Sequence, residues 1–513
     1  MSRFNKNKMN TSLTVNRAGG SAYTRSAEHR LVSLLLTNFL TDQFYRSANQ
    51  SMQELEALLK QVDPLFAAKA AVYARNEFGM RSISHAVAAG LASRVAGTDW
   101  GRRFYDRIVR RPDDMLEITA AFLAREDSGK NLTNAMKKGF ATSFDRFDGY
   151  QLAKYRGEGK QVKLIDLVNL VRPVPTKRNA QALQELVNGT LKNQDTWESK
   201  LSAAGQTAGE GKSAAKAQAW ADLLKEGKLG YFALIRNLRN LLEQAPELID
   251  LIEQQLTDEN RIRRSLVLPF RLLTAWKEIE KVSLNDGRQV SVGERLRSMV
   301  GVSKSNSPSG ARRRVLAALE QAIVISFSNL PELKNTLVAI DNSGSMGSAA
   351  AGSNNVLCNE LGALFGFALA QRSNADLLEF GTTARYLKYR LGDSPLAFAA
   401  AFGGNNKVGH GTNFETIFAT AGKRSYERVI ILSDMQSWLH QERGKEVLAG
   451  YRRRSGSDPF VYTIDLRGYG SSQFPSGGKV FEVSGFSEKV FDLIALAEQD
   501  PDVLLKTIES VEL

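Results

Sequence analysis

The chain has 513 residues, of which 43% are hydrophobic and 24% charged, and this composition indicates a folded protein of more than one domain. Its single cysteine, Cys358, excludes an intrachain disulfide, and with only four histidines beside it a zinc site of Cys/His type is not expected. The net charge of +13 lies in the first part of the chain, since residues 1–332 carry 50 Lys and Arg against 35 Asp and Glu, whereas residues 333–513 carry 18 against 20. We therefore expect a polyanion such as nucleic acid to bind the first part, although a basic surface that serves only solubility would have the same charge.

The N-terminal 24 residues are rich in Asn, Ser, Thr, Gly and Lys, and they are predicted to form a flexible arm. They contain no apolar signal core, and no window of the chain is apolar over the roughly 18 residues that a membrane span needs. The expected location is therefore the cytoplasm, away from any membrane.

From residue 25 to 330, apolar side chains recur at spacings of three and four, which predicts amphipathic helices throughout and no convincing strand. Many short helices in series predict stacked helix pairs, an α-solenoid, whose repeats must be degenerate because no strict sequence repeat is present. The predicted helices are His29–Phe44, Met52–Leu59, Pro64–Phe78, Ile83–Val95, Met115–Ala124, Leu164–Val171, Asn179–Val187, Lys212–Leu224, Tyr231–Leu242, Pro246–Leu256, Pro269–Val282 and Ala311–Asn329.

The pattern changes near residue 330, and in residues 331–513 strands alternate with helices. This alternation predicts an α/β domain with a doubly wound, mostly parallel sheet, whose ligands bind beyond the carboxyl ends of its strands. The predicted strands are Thr336–Ile340, Ala375–Phe380, Arg428–Leu432, Phe460–Asp465 and Lys479–Val483, with Tyr386–Tyr389 as a possible edge strand. The predicted helices are Asn355–Gln371, Asn413–Ala421, Gly444–Arg454 and Ser487–Leu496.

Side chains with oxygen atoms occur at three places in this domain, two of them at the ends of predicted strands and one before a predicted helix. Asp341, Ser343 and Ser345 follow the first strand as Asp-x-Ser-x-Ser, Thr412 precedes a helix, and Asp434 closes a later strand. A tight turn after a buried strand can direct a carboxylate and two hydroxyls to one point, and hard oxygen donors suit Mg²⁺ best, with Mn²⁺ or Ca²⁺ as alternatives. The competing interpretation is that these Ser and Asp residues only form turns and helix caps.

The order of these five residues, with the strands and helices around them, resembles the metal-ion-dependent adhesion site of von Willebrand A domains. Such a metal has an open position, which either accepts a carboxylate or phosphate oxygen from a partner or serves only to brace the fold. No His, Glu or Lys beside the motif is placed to act as a general base, so we do not expect an enzyme.

The densest basic segment lies between residues 137 and 172. Lys and Arg neutralise phosphates, and exposed aromatic rings stack on unpaired bases, so this segment is a candidate RNA-binding surface. The aromatic side chains among them are expected to belong mostly to the core. The cations are Lys137, Lys138, Arg146, Lys154, Arg156, Lys160, Lys163 and Arg172, interleaved with Phe140, Phe144, Phe147, Tyr150 and Tyr155.

Four segments of the first part, Val15–Gly20, Asp63–Leu91, Trp197–Leu224 and Ala233–Asn240, resemble the TROVE module of the Ro autoantigen family. The resemblance extends over roughly residues 15–300, and an A-type domain is the usual second domain of that family. The chain is most similar to bacterial Ro proteins.

The resemblance implies a ring of HEAT-type helical repeats closed by the A domain. It further implies that small noncoding Y RNAs bind the outer basic face and that single-stranded 3′ ends of misfolded RNAs enter the hole. In bacteria it implies partnership with a 3′-to-5′ exoribonuclease such as polynucleotide phosphorylase, in RNA quality control and stress responses. A monomer is expected.

The candidate basic segment coincides with the region of Y RNA contacts in the family, with one departure. Animal members carry a Ser-His pair where this chain has Gln161–Leu164, so Lys163 would have to replace the imidazole. Asn237, Arg239 and Asn240 either line the hole or cap and brace a buried helix, and the sequence leaves both interpretations open.

The function hypothesis is therefore an RNA-binding scaffold without catalytic activity. The alternative is a protein-interaction module of the adhesion type, in which the metal of the A domain binds an acidic partner and the basic half is only a surface. A metal-dependent nuclease is a third class, but the chain lacks a second carboxylate cluster for a two-metal site.

Overall fold

The protein is described by a computed structural model. The residues that the structure describes are 12–38, 40, 47–126, 128, 131–192, 200–201, 204–206, 211–265, 267, 269–282, 308–327, 332–349, 356–437, 444–469, 471–475, 479–484, 498 and 503–513. Trp197 and the predicted helix Ser487–Leu496 lie outside these residues.

Helices form where the sequence supplies both an apolar stripe and a start signal. Ser26 accepts a hydrogen bond from the backbone of His29 to begin the first helix, and Asp63 does the same for Phe66, with proline at the following position. In the first part of the chain the helices are α1 (Ala27–Thr37), α2 (Ala48–Gln61), α3 (Pro64–Glu77), α4 (Ser82–Gly90), α5 (Ala92–Val95), α6 (Gly101–Ile108), α7 (Pro112–Leu123), α8 (Asn134–Ser143), α9 (Gly149–Lys154), α10 (Leu164–Val171) and α11 (Ala180–Val187).

Up to α11, the sequence missed α6, α8 and α9, because each is too short, at 6 to 10 residues, to repeat an apolar stripe over several turns. The single helix predicted over Ile83–Val95 is divided at Leu91, whose backbone closes α4 before α5 begins.

The chain groups into two compact units. The first contains residues 1–194, 331–389 and 405–513, and the second contains residues 195–330 and 390–404. The helices up to α11 therefore belong to the same unit as the sheet, whereas the sequence predicted a boundary near residue 330 between a helical domain and the A-type domain.

In the first unit the helices pack in pairs, α6 on α8 and α4 on α7. Gly139 of α8 lies so close to α6 that a Cβ there would be 2.7 Å from the carbonyl oxygen of Arg102. Tyr105 is wholly buried between the two helices, where its ring meets that of Phe140 edge-on. This close contact with α6 fixes the orientation of the basic helix α8.

The same unit contains a six-stranded sheet in the order β5-β4-β3-β6-β7-β9. Only β5 is antiparallel to its neighbour, and the other strands pair in parallel, as predicted. The strands are β3 (Thr336–Asp341), β4 (Asp376–Phe380), β5 (Ala384–Leu387), β6 (Arg428–Ser433), β7 (Phe460–Asp465) and β9 (Val480–Ser484). The helices of this region are α19 (Cys358–Ser373), α21 (Glu415–Ala421), α22 (Gly444–Ser455) and α23 (Val503–Glu509).

The central strand β3 is buried at every position, which is why it reads as an unbroken apolar run. Chain order reverses on its two sides, since β4 follows on one side and β6 on the other. The predicted fold class, a helical region followed by a doubly wound A-type domain, is confirmed.

The N-terminal segment differs from the predicted flexible arm. Within the described residues it forms two antiparallel strands, β1 (Leu13–Val15) and β2 (Ser21–Thr24). Strand β2 also pairs with β8 (Ser471–Ser472), which lies beyond the end of β7. Polar composition suggested an arm because β8, the strand that anchors this hairpin through β2, lies more than 400 residues away, where local sequence patterns carry no information.

The second unit is helical. It contains α12 (Gly211–Lys225), α13 (Tyr231–Arg236), α14 (Leu238–Gln244), α15 (Ile249–Leu256), α16 (Glu259–Ser265), α17 (Pro269–Glu280), α18 (Pro308–Ser326) and α20 (Pro395–Gly403). The helix predicted over Tyr231–Leu242 is divided at Asn237, where the backbone leaves the helical conformation between α13 and α14. Helices α17 and α20 both pack on α18. Among the described residues of either unit, no helix combines the length and apolarity that crossing a membrane requires.

Candidate metal site and RNA interface

The predicted metal donors lie at the carboxyl edge of the sheet. Asp341 ends β3, and Asp434 immediately follows β6, its parallel neighbour. These are the two strands between which the chain order reverses, the position where open α/β sheets bind their ligands. The register pairs Ile340 with Leu432, so Asp341 comes level with Ser433 and Asp434 follows one residue later.

The Asp341 carboxylate is held in place by both flanking loops. It accepts hydrogen bonds from the backbone N–H of Ser343 at 2.8 Å and from the hydroxyl of Ser433 at 2.5 Å. Burial raises the pKa of Asp341 to about 6, because the buried carboxylate loses the hydration that stabilises its charge. A fully buried carboxylate is stabilised in its ionised form by a compensating cation.

Asp434 is also fully buried. Its burial, together with the charge of Asp341, raises the pKa of Asp434 to about 7, and a hydrogen bond with Ser345 opposes the shift only in part. The two carboxylates therefore repel one another, and Ser345 lies beside Asp434.

Thr412 is brought to the same edge by its own loop. The backbone N–H of Gly344 donates to the carbonyl of His410 at 2.9 Å, which joins the first donor loop to the loop of Thr412. The Ser437 hydroxyl donates to the Thr412 carbonyl at 2.8 Å, which joins it to the loop of Asp434. Three loops thus converge, and all five predicted donors are at most 5% exposed.

The residues present fit a hard divalent cation. The Ser343 hydroxyl oxygen and the Asp434 Oδ2 oxygen are both buried and make no hydrogen bond with any described residue. Unpaired oxygens that sit beside two repelling carboxylates are the donor set that Mg²⁺ or Mn²⁺ satisfies.

Sequence patterns did not reveal the residues that surround these donors. Asn342 turns away from the donors, donates to the buried Glu379 at 2.8 Å, and accepts from Asn359 at 2.7 Å. Arg467, 1% exposed, donates to Ser348 and places a cation near Asp434. No spacing rule could have found Glu379, Asn359 or Arg467, because each comes from a strand, helix or loop distant in sequence from the donor motif.

The predicted basic segment spans α8 to the end of α10 in the first unit. Its three phenylalanines, Phe140, Phe144 and Phe147, are at most 1% exposed, so the expectation that they belong to the core is correct. Lys138 is exposed on α8 and Lys137 is half-buried beside it. The helix therefore presents its lysines outward and its rings inward.

Two predicted arginines are engaged in intramolecular contacts. Arg146 pairs with Asp106 at 2.5 Å and donates to the carbonyl of Val109 at 2.9 Å. Arg156 donates to the carbonyl of Leu191 at 2.5 Å and pairs with Glu158 at 2.9 Å. Both guanidinium groups connect helices, so their contribution to an RNA surface is secondary to a structural one.

The loop after α9 encloses an open cavity of about 280 Å³. Lys154 lies 5.8 Å from the ring centres of both Tyr150 and Tyr155, and the Arg111 guanidinium stacks on Tyr155 at 4.6 Å. Lys160 is exposed and lies 3.7 Å from Glu117. The tyrosines, unlike the phenylalanines, remain partly accessible.

Lys163 and Arg172 flank helix α10 and are both exposed. Arg172 ends the helix with φ +48°, a left-handed conformation that turns the chain sharply. Neither side chain forms an ion pair with a residue in the described ranges, which leaves both available to phosphate.

Asn237 and Arg239 belong to the second unit. Asn237 is buried, donates to the carbonyl of Ala233 at 2.8 Å, and accepts from Asn240 at 3.1 Å. Arg239 is 65% exposed and pairs with Glu243 one turn later on α14. Of the two interpretations, bracing the joint between helices fits Asn237, whereas Arg239 and Asn240 are both exposed.

The chain is similar to a known domain family and to known proteins. The model of the TROVE domain matches residues 25–198 and 188–292, more than half of the chain. Telomerase protein component 1 of Mus musculus is 25% identical over 336 residues and that of Rattus norvegicus 24% over 316, and these stretches cover 49% and 45% of this chain. The chain spans only 12% of the length of either relative.

The crystal structure of the Ro (RSR) protein of Deinococcus radiodurans has the same fold, with a TM-score of 0.57 at 18% sequence identity. The match covers 92% of this chain and all of that one.

A helical module and a doubly wound A-type domain with oxygen donors at its switch point define a two-module binding protein. The TROVE match over more than half of its length shows that the chain belongs to the family of TROVE-domain proteins.

Proposed function

We propose that this protein binds small noncoding RNA of the Y type through the basic surface of α8–α10, and single-stranded 3′ ends of misfolded RNAs within a ring of helices. In this role it delivers RNA to a 3′-to-5′ exoribonuclease such as polynucleotide phosphorylase and performs no catalytic step itself. A cytoplasmic location, as a monomer, is part of the proposal and accords with the single buried thiol, Cys358.

The observation that carries the proposal is the outward set of cations on and after α8. Lys138, Lys160, Lys163 and Arg172 are exposed, while the aromatic core beneath them is closed. Phosphates bind such a surface by releasing counterions, and the two accessible tyrosines, Tyr150 and Tyr155, offer rings to unpaired bases.

The direct test is a charge reversal of this surface. We expect K138E/K160E/K163E/R172E to weaken binding of a small structured RNA at least tenfold at moderate salt. The slope of log affinity against log salt should become shallower by about 0.7 to 0.9 for each phosphate that the variant no longer neutralises. Filter binding over a series of salt concentrations measures both.

A matched control reverses four exposed lysines elsewhere in the first unit, K388E/K407E/K423E/K445E, with the same change of net charge. If the control loses as much affinity and slope as the α8–α10 variant, the site assignment is wrong, although the protein still binds RNA.

We also propose that Asp341, Ser343, Ser345, Thr412 and Asp434 bind Mg²⁺, or Mn²⁺ in its place. Bound there, the metal would supply an open position for an oxygen ligand. The support is the pair of buried, unpaired oxygens of Ser343 and Asp434 beside two repelling carboxylates. A protein partner that docks through this metal is the second candidate function, and its signature is a pull-down that EDTA abolishes while RNA binding persists.

A further inference from the structure

The N-terminal segment of the chain forms part of the surroundings of the metal donors. Strands β1 and β2 are joined by a turn over Asn16–Gly20, and β2 adds to β8 through the pairs Tyr23–Ser472 and Thr24–Ser471. The hairpin is therefore anchored to the connection that follows β7.

The turn of this hairpin reaches the loop after Asp434. The side-chain amide of Asn16 donates a hydrogen bond of 2.6 Å to the carbonyl of Ser437. The backbone N–H of Arg17 donates to the side-chain oxygen of Gln436 at 2.7 Å. The Asn16 side-chain oxygen meanwhile accepts from the backbone of Ala18 and Gly20, which closes the turn itself.

The same two loop residues hold two of the metal donors. The backbone N–H of Gln436 donates to Asp434 Oδ1 at 3.2 Å, and the Ser437 hydroxyl donates to the Thr412 carbonyl at 2.8 Å. The hairpin turn is thus one residue removed from donors on two separate loops.

The loop between them needs external support. Met435 has φ +58°, a left-handed conformation that is strained for a residue other than glycine and persists only where its surroundings fix it. Gln436 adds further bonds, from its side-chain amide to the carbonyls of Asp434 and Met435 and to the hydroxyl of Ser471 on β8. The loop's shape accordingly depends on the strand to which the hairpin is paired.

We propose that the Asn16–Gly20 turn is a structural part of the metal site, and that Asn16 is a positioning residue for Asp434 and Thr412. This inference rests on the proposed metal site. Docking of the hairpin and binding of the cation then favour one another, and each must strengthen the other by the same factor.

The first experiment compares Asn16→Ser with Ser21→Ala. Serine keeps a side-chain oxygen to close the turn but cannot reach the Ser437 carbonyl, whereas Ser21 is exposed on β2, outside the turn. Calorimetric titration of the full chain with Mg²⁺, and with Mn²⁺, should show affinity about fivefold or more weaker in N16S and unchanged in S21A.

The second experiment uses the unmodified protein, so it does not depend on any variant folding. Arg17 lies exposed in the turn, and trypsin cleaves the bond that follows it. Saturating Mg²⁺ should slow the appearance of the fragment that begins at Ala18 by the same factor of about five or more, while cleavage after the exposed Lys192 keeps its rate.

The outcomes separate the two proposals. Wild-type protein that binds Mg²⁺ with an affinity equal to that of folded N16S, and with no protection after Arg17, overturns the coupling and leaves the metal site standing. Wild-type protein that binds no cation overturns both. RNA affinity, measured in parallel by filter binding, reports on the scaffold function independently of either result.

Discussion

Arg25 Nε lies 3.0 Å from the Glu482 Oε2 oxygen, with the two side chains only 2% and 4% exposed. The same guanidinium lies 3.7 Å from Asp465, whose side chain is completely buried. A residue that precedes the first helix therefore pairs with side chains of two neighbouring strands of the sheet, Asp465 of β7 and Glu482 of β9. This ion pair, together with the pairing of β2 with β8, joins the N-terminal segment to the A-type domain.

Removing this cation should destabilise the first unit strongly. Arg25→Met leaves two carboxylates without a buried counter-charge, and we expect a loss of about 3–5 kcal/mol in the free energy of unfolding. Urea denaturation followed by circular dichroism measures it. Arg30→Met is the control, because Arg30 pairs with Glu54 at a partly exposed site and should cost about 1 kcal/mol or less. Equal losses in the two variants would contradict the buried role of Arg25.

A second buried network of charges, centred on Asp114, should make the free energy of unfolding depend on pH in the acid range. Although burial opposes its ionisation, hydrogen bonding from His85 and the charge of Arg75 hold the pKa of Asp114 far below its usual range. Arg75 approaches it to 2.8 Å and Arg81 to 3.0 Å. Because the folded state keeps this carboxylate ionised, its contribution is complete above the unfolded-state pKa of about 4 and is lost as pH falls below that value.

Asp114→Asn should therefore lower stability at pH 7 by about 3–5 kcal/mol, since Arg75 loses its buried partner. Between pH 5 and pH 3 the variant should lose less further stability than the wild type, because one proton fewer is taken up on unfolding. Urea midpoints measured across this range test the slope. Parallel pH profiles for the two proteins would show that Asp114 does not carry the acid dependence.

A substitution among the metal donors, unlike the two above, should stabilise the protein when no metal is bound. Asp341 and Asp434 repel one another while buried, so Asp434→Asn should raise the melting temperature measured in EDTA. The wild type should gain stability as Mg²⁺ is added, by about 2.7 kcal/mol at one hundred times its Kd, and the variant should not respond. Differential scanning fluorimetry in EDTA and in Mg²⁺ reads both effects. A variant that still responds to Mg²⁺ would place the cation elsewhere.

Helix packing gives a prediction on the basic surface itself. A Cβ at Gly139 would lie 2.7 Å from the carbonyl oxygen of Arg102, so Gly139→Ala must move α8 away from α6. We expect a loss of about 1–3 kcal/mol and weaker RNA binding. Gly404→Ala is the control, since a Cβ there meets no atom within 4 Å and should leave both quantities unchanged. An unchanged free energy of unfolding in the Gly139 variant would contradict this prediction, because it would mean that α8 can move away from α6 at no cost.

Much of the fold and of the candidate metal site could be predicted from periodicity and local motifs alone. The helices of the first part, the parallel sheet and the five donors after its strands are visible in the sequence, because helix and strand periods and Asp-x-Ser-x-Ser spacing are local properties. The short helices α6, α8 and α9 were not predicted, since so few residues carry too little periodic signal. Charge distribution likewise indicated which part of the chain is basic, and the exposed Lys138 and Lys163 agree with that indication.

Only the tertiary structure decided which of the basic residues are exposed for binding and which are engaged within the fold. Arg146 and Asn237 match Lys138 in the sequence as candidates, yet the first two bond to neighbouring helices and backbone carbonyls. The structure also decided that the start of the chain belongs to the A-type domain, through Arg25 and Asn16. Pairing across hundreds of residues depends on which surfaces meet after folding, and no local pattern encodes that meeting.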